Sequence, residues 1–103
     1  YDIVARYGGE EFVAPMPGAD LAHAEAAAER IRVAVEAMRV EWPVAAGGND
    51  RGVTASVGAT SLGGWEERAA DLLARADRAM YAAKNGGRNR CVALPPPGLP
   101  TRV

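Results

Sequence analysis

The sequence predicts a small α/β domain in which helices pack on one or both faces of a sheet. Three observations carry that prediction. Two segments, near 21–38 and 66–85, repeat apolar residues with helical period; residues 53–60 alternate strictly; and a diglycine near the start is flanked by strand-like residues.

Residues 3–7 read as a first strand. Gly8-Gly9 offers two adjacent positions that tolerate positive φ, the demand of a two-residue hairpin turn. Residues 10–16 return as the second strand, although Pro15 donates no ladder hydrogen bond and belongs at an edge or bulge. Pro17-Gly18 breaks that strand, and Asp20 stands where a helix N-cap is needed. Leu21, Ala24, Ala28, Ile31, Val35 and Met38 then recur at spacings of three and four, which places them on one helical face. Glu25, Glu29, Arg32 and Glu36 occupy other faces, with Glu29–Arg32 and Arg32–Glu36 spaced to pair on the surface.

Residues 40–44 are expected as a short strand weakened by Pro43, and the polar run 47–52 as a loop or hairpin tip. Val53, Ala55, Val57 and Ala59 alternate with Thr54, Ser56, Gly58 and Thr60, a strand with one buried face. The second helix, from about 66 to 85, carries an apolar stripe of Leu72, Leu73, Ala76, Met80 and Ala83, and Gly86-Gly87 stops it. Residues 89–92 form a closing strand. The expected order is β-β-α-β-β-α-β, with one domain over 1–93 and a proline-rich tail, disordered or extended, over 94–103.

At 103 residues the chain is long enough for one domain, and its 49% hydrophobic content supports a core, though a thin one because so much of it is alanine. A formal charge of −1 gives no general attraction to nucleic acid or anionic membrane, so a polyanion would need a local cluster of cations. The lone Cys91, read as a buried strand residue, excludes an internal disulfide and fits a reducing compartment. No apolar run approaches the roughly 20 residues of a membrane-spanning helix. The chain opens at Tyr1, inside a predicted strand, which reads as a fragment or processed product. His23 has no partner at metal-ligand spacing, and Trp42 and Trp65 read as packing residues near loops.

Four blocks of the sequence share a resemblance. Tyr7-Gly8-Gly9-Glu10-Glu11-Phe12 resembles the signature of diguanylate cyclases, Gly-Gly-(Asp/Glu)-Glu-Phe. Asp2-Ile3-Val4-Ala5-Arg6 is similar to the strand leading into it, and Val53-Thr54-Ala55-Ser56-Val57-Gly58 to a later strand of the family. Ala76 to Lys84, followed by Gly87-Arg88-Asn89-Arg90, resembles the last helix and the turn after it. On these blocks, in this order, the chain is identified as a member of the GGDEF family. The resemblance implies an α/β (α+β) fold: a palm-like, ferredoxin-like sheet of the nucleotidyl cyclase type with flanking helices, its N-terminal strand and helix missing. It also implies joining of two GTP molecules into cyclic di-GMP with release of pyrophosphate, across a homodimer of domains. Mg2+ or Mn2+ is the implied cofactor. The implied surroundings are an upstream sensor domain, a cytoplasmic location, cyclic di-GMP as product and inhibitor, and no nucleic acid partner.

By the same resemblance Glu10 is a metal ligand, and Glu11 is either a second ligand or the group that helps deprotonate the attacking 3′-hydroxyl. Gly8 and Gly9 let the backbone approach the triphosphate. For a bare Gly-Gly-Glu-Glu the plainer reading is a solvated turn with two surface acids. Lys84 and Arg88 match cations that hold the terminal phosphates; they are four apart and would point the same way if helical geometry continued past the glycines. Basic residues at a helix C-terminus also simply complement its dipole. Asp77, seven residues before Lys84, is either its orienting partner or a surface acid. Asp2 and Arg30 match an inhibitory site for the product, with a solvated helix cation as the alternative for Arg30. A family member that only binds GTP or cyclic di-GMP, without catalysis, is the rival function.

Overall fold

The computed structural model describes residues 5–6, 11–41, 50–64 and 67–97. Its elements are β1 (Ala5–Arg6), β2 (Phe12–Val13), α1 (Leu21–Glu36), β3 (Arg39–Glu41), β4 (Asp50–Gly52), β5 (Ser56–Ala59), α2 (Ala69–Asn85) and β6 (Arg90–Ala93). The fold class is the expected α+β, with one strand more than the sequence pattern implied. That strand is β4, which falls on residues read as loop. It lies antiparallel to β3, with Val40 opposite Arg51. The expected strand over 53–60 is accordingly shorter, starting at Ser56. Alternation specifies which face a residue takes, not which strand it pairs with, and here neighbouring stretches of chain serve different partners.

β1 and β2 form an antiparallel pair, Ala5 opposite Val13 and Arg6 opposite Phe12. β2 stops at Val13 rather than running to residue 16, because Pro15 supplies no ladder donor. The diglycine between these strands lies outside the described residues.

The N-cap of α1 is the one expected. Asp20 has extended backbone and its Oδ1 accepts from the His23 backbone N–H at 2.8 Å. His23 is exposed, its ring Nδ1 also 2.8 Å from that carboxylate. The predicted apolar face of α1 is only partly buried. Ala24, Ala27 and Ala28 are buried, but Ile31 is 43% and Met38 52% exposed. Ile31 lines an open apolar groove of about 410 Å³, whose other walls are residues 13–19 and parts of β5 and α2. A groove wall open to solvent cannot be closed core.

β5 and β6 are parallel, with Val57 opposite Cys91 and Ala59 opposite Ala93. Parallel neighbours need a crossover, and α2 supplies it. That helix begins at Ala69, three residues later than expected, with Arg68 at the cap position and no side-chain cap. Its deepest face is Arg75, Ala79 and Ala83, the two alanines being completely buried. Leu72 and Leu73, which the stripe placed in the core, are half-buried groove residues.

The reason is Gly58. A Cβ there would lie 2.8 Å from Met80 Cα and would collide with the Met80 backbone nitrogen and the Ala76 carbonyl oxygen. The backbone of α2 at Ala76 and Met80 therefore rests directly on the backbone of β5. Pro96 apart, the buried apolar residues among those described are all alanines: Ala24, Ala27, Ala28, Ala59, Ala79 and Ala83.

A second fastening joins α2 to the chain that enters it. Arg75, buried within the fold, reaches Glu67 through both terminal nitrogens, at 2.7 and 2.8 Å. Its Nε donates to Thr60 Oγ1 at 2.7 Å, and Nη2 also donates to the Ser61 carbonyl at 2.7 Å. Thr60 Oγ1 in turn donates to the Leu94 carbonyl at 2.7 Å, and the Leu94 N–H donates to Ala59 O at 2.9 Å. The start of the proline-rich segment is thus tied to β5, and Pro96 is buried. Glu67 also accepts from the Gly63 N–H at 2.8 Å. Hydrogen bonds from Arg75 first, and from Gly63 second, hold its carboxyl at about 2, well below its ordinary 4.5.

Two outcomes follow. Gly58→Ala should cost about 3 kcal/mol in urea unfolding, whereas Gly64→Ala, where a Cβ meets nothing within 4 Å, should stay within about 0.5 kcal/mol of wild type. Because the Glu67 pKa is depressed in the fold, its contribution is complete above about 4.5 and is lost as pH falls toward about 2. The urea midpoint should fall through that window, and Glu67→Gln should flatten the fall.

Candidate functional site

The last turn of α2 and the residues after it build a compact cationic end. The helix finishes with paired terminal hydrogen bonds: the Arg88 N–H donates to Ala83 O at 3.0 Å, and the Gly87 N–H to Lys84 O at 3.4 Å. This Schellman arrangement satisfies carbonyls the helix would otherwise orphan, and it needs a left-handed residue just after the cap. Gly87 supplies it at φ 125°. Arg90 packs over this glycine, and a Cβ on Gly87 would come 2.5 Å from Arg90 Nη2. Arg90 Nε also donates to the Arg88 carbonyl at 3.1 Å.

Two further left-handed residues follow, Arg88 at φ 64° and Asn89 at φ 46°. Asparagine tolerates this region; for arginine it costs on the order of 1–3 kcal/mol and persists only where neighbours enforce it. The enforcement comes from α1. Arg32 Nη1 donates to Asn89 Oδ1 at 3.0 Å, and Asn89 Nδ2 donates to Glu36 Oε2 at 2.6 Å. Arg32 is itself held by Glu29, with Nε 3.0 Å from Oε1, and lies 3.5 Å from Glu36. The expected surface pairs of α1 are both present, and they serve a purpose beyond helix stability: they grip the turn after α2.

Cys91 stands beside this seam, half-buried on β6 rather than fully buried. Burial, and then its hydrogen bond with Glu29, push the thiol up to about 11. It is protonated at neutral pH and therefore a poor nucleophile.

Lys84 is half-buried in the last turn of α2 and Arg88 is exposed in the strained turn. The helix ends at Asn85, so helical geometry does not continue to Arg88, and the two cations do not share a helical face. They flank one turn instead. With Arg90 they concentrate positive charge at the negative end of the α2 dipole. Asp77 and Arg30 are exposed, the latter two residues before Arg32 on α1. Glu11 is half-buried, directly ahead of Phe12, which is 67% exposed. Asp2, Gly8, Gly9 and Glu10 lie outside the described residues, as do Trp42 and Trp65.

Carboxylate oxygens are the donors a hard divalent cation prefers, so the donor chemistry of Glu10 and Glu11 suits magnesium. Among the described residues, no three metal-ligating side chains gather. The apolar groove contains none of the candidate charged residues. Among the described residues, no helix is long and apolar enough to cross a membrane.

Sequence reasoning missed two residues. Arg75 was a readable anomaly, a cation between Leu72 and Ala79 on the buried side of a helix. Asn89 carried a signal too, since asparagine after Gly87-Arg88 suits a left-handed position.

Comparison with known proteins places the chain in a family. The model of the diguanylate cyclase GGDEF domain matches residues 1–90. The chain is 41% identical over 99 residues to diguanylate cyclase A of Treponema denticola, covering 96% of this chain and 25% of that protein. It is 44% identical over 91 residues to the response regulator PleD of Caulobacter vibrioides, covering 88% of this chain and 20% of that protein. Diguanylate cyclase DgcP of Pseudomonas aeruginosa is 39% identical over 89 residues, covering 86% of this chain and 12% of that protein. The chain thus spans a quarter or less of the length of these relatives. With a family model matching residues 1–90 of its 103, the chain belongs to the GGDEF family of diguanylate cyclases.

Proposed function

We propose that this chain supplies phosphate-binding and carboxylate residues to a site that joins two GTP molecules into cyclic di-GMP. The observation that carries the reading is the end of α2: Lys84 in the last turn of the helix and Arg88 in the turn after it, whose backbone is fixed by Gly87 and by α1. Phosphoryl transfer asks mainly for charge neutralisation and in-line positioning. In the proposed reaction the 3′-hydroxyl of each GTP attacks the α-phosphorus of the other, in two successive displacements. Each forms one oxygen–phosphorus bond, breaks one bond to pyrophosphate and releases the hydroxyl proton, so ring closure gives cyclic di-GMP and two pyrophosphates.

Lys84 and Arg88 hold the terminal phosphates and take up the charge that accumulates on departing pyrophosphate. Gly8 and Gly9 bring backbone close to the triphosphate. Glu10 and Glu11 provide oxygen donors for magnesium or manganese, with Glu11 alternatively receiving the hydroxyl proton. Bound metal would neutralise phosphate charge and orient the reacting oxygens. Each GTP sits on one domain of a homodimer, Asp2 and Arg30 receive cyclic di-GMP as inhibitor, a sensor domain precedes the chain, and the location is cytoplasmic. Residues 1–93 form the domain and 94–103 its tail. On this reading the 103 residues alone are inactive, and turnover belongs to the intact parent protein.

A binding module without catalysis is the second reading, favoured by the early end of β2 before Pro15. Steady-state turnover of GTP with magnesium in the intact parent separates the two. Arg88→Ala should lower kcat/KM for GTP about 10- to 100-fold, the range for losing a hydrogen bond to a charged group. Arg78→Ala, an exposed cation on α2, should change little. Magnesium-dependent thermal stabilisation by a non-hydrolysable GTP analogue, with no turnover, would establish the binding module instead.

A further inference from the structure

We infer that Glu36 and Asn89 are positioning residues for Arg88: helix α1, through its Arg32–Glu36 pair, clamps Asn89 and thereby fixes the direction in which Arg88 meets the terminal phosphates. The inference rests on the phosphate role proposed for Arg88 and adds to it the device that aims the side chain.

The geometry carries it in three steps. Arg88 and Asn89 are consecutive non-glycine residues in the left-handed region, at φ 64° and 46°. A left-handed arginine returns to ordinary φ unless something holds it, and that return would swing its Cβ off the turn. The holding groups are remote in sequence. The amide of Asn89 is used at both ends, accepting from Arg32 Nη1 at 3.0 Å and donating to Glu36 Oε2 at 2.6 Å. Arg32 is in turn braced by Glu29 at 3.0 Å, so the grip belongs to the helix as a unit. On the other side Arg90 Nε binds the Arg88 carbonyl at 3.1 Å. The Arg88 backbone is thus fixed from both flanks while its side chain stays exposed and available to a phosphate. None of the clamping side chains needs to touch the nucleotide.

The test is the dissociation constant for inorganic pyrophosphate with magnesium, and KM and kcat for GTP, in the intact parent protein. Glu36→Ala and Asn89→Ala should each weaken pyrophosphate binding and raise KM by about tenfold, the scale of a misdirected binding group. Glu36→Gln, whose amide oxygen still accepts from Asn89, should restore both to near wild type. Asn89→Gly keeps the left-handed backbone accessible but discards the clamp; it should bind weakly while remaining folded, as circular dichroism reads. If Arg88→Ala weakens binding while Asn89→Gly and Glu36→Ala do not, the positioning role is overturned and the phosphate role stands. If Arg88→Ala leaves binding unchanged, the phosphate role and the clamp's purpose fall together. If Glu36→Gln is as weak as Glu36→Ala, the carboxylate's charge is what matters and the aiming argument is wrong.

Discussion

The contact between the α2 backbone and the β5 backbone at Gly58 sets the dimensions of everything around it. A helix normally stands off a sheet by the thickness of its side chains. Here Gly58 removes the strand's contribution, so that main-chain atoms of Ala76 and Met80 come against it directly, while Ala79 and Ala83 are wholly buried on the same helix. The gain is a defined height for α2 above the parallel pair. The cost is a core of alanines, each burying far less apolar area than a leucine or phenylalanine would.

Around this thin core, paired charges and hydrogen bonds fix where the segments lie. From within α2, Arg75 gathers Glu67, Ser61 and Thr60, and through Thr60 the segment after β6. At its C-terminal end, Arg32 and Glu36 of α1 take hold of Asn89. Both networks use an arginine whose planar fork serves several acceptors at once, a geometry lysine could not reproduce. Both also join segments distant in sequence, so each forms only once the chain has folded. A buried ion pair is weak evidence of net stabilisation; its clearer effect here is on where the helix ends lie.

Local features of this fold were legible in the sequence. Asp20 announced its cap, Glu29, Arg32 and Glu36 their pairing, and Gly86-Gly87 the end of α2, because each acts on residues within a turn or two. The family signature, similarly, is a string of adjacent residues. Features that depend on remote partners were not legible. The β4 pairing depends on β3, the exposure of Ile31 depends on an open groove, and the lock on Asn89 joins positions more than 50 apart. Of the candidate site, Lys84 and Arg88 were named from the sequence, and the shared direction that a continuous helix would give them is not met. Spacing of four assumes a continuous helix, and the left-handed turn at 87–89 breaks it. The diglycine hairpin and Glu10 stand outside the described residues, so that half of the site rests on the signature itself.

Gly58 has a mechanical meaning as well. Layers separated by long side chains can slide, because rotamers exchange and the interface relaxes. Two main chains in direct contact have no such lubricant. The helix and the strand beneath it must travel as one stiff lever, and a small tilt imposed at Arg75 arrives at Lys84, about two and a half turns away, with nothing in between to absorb it.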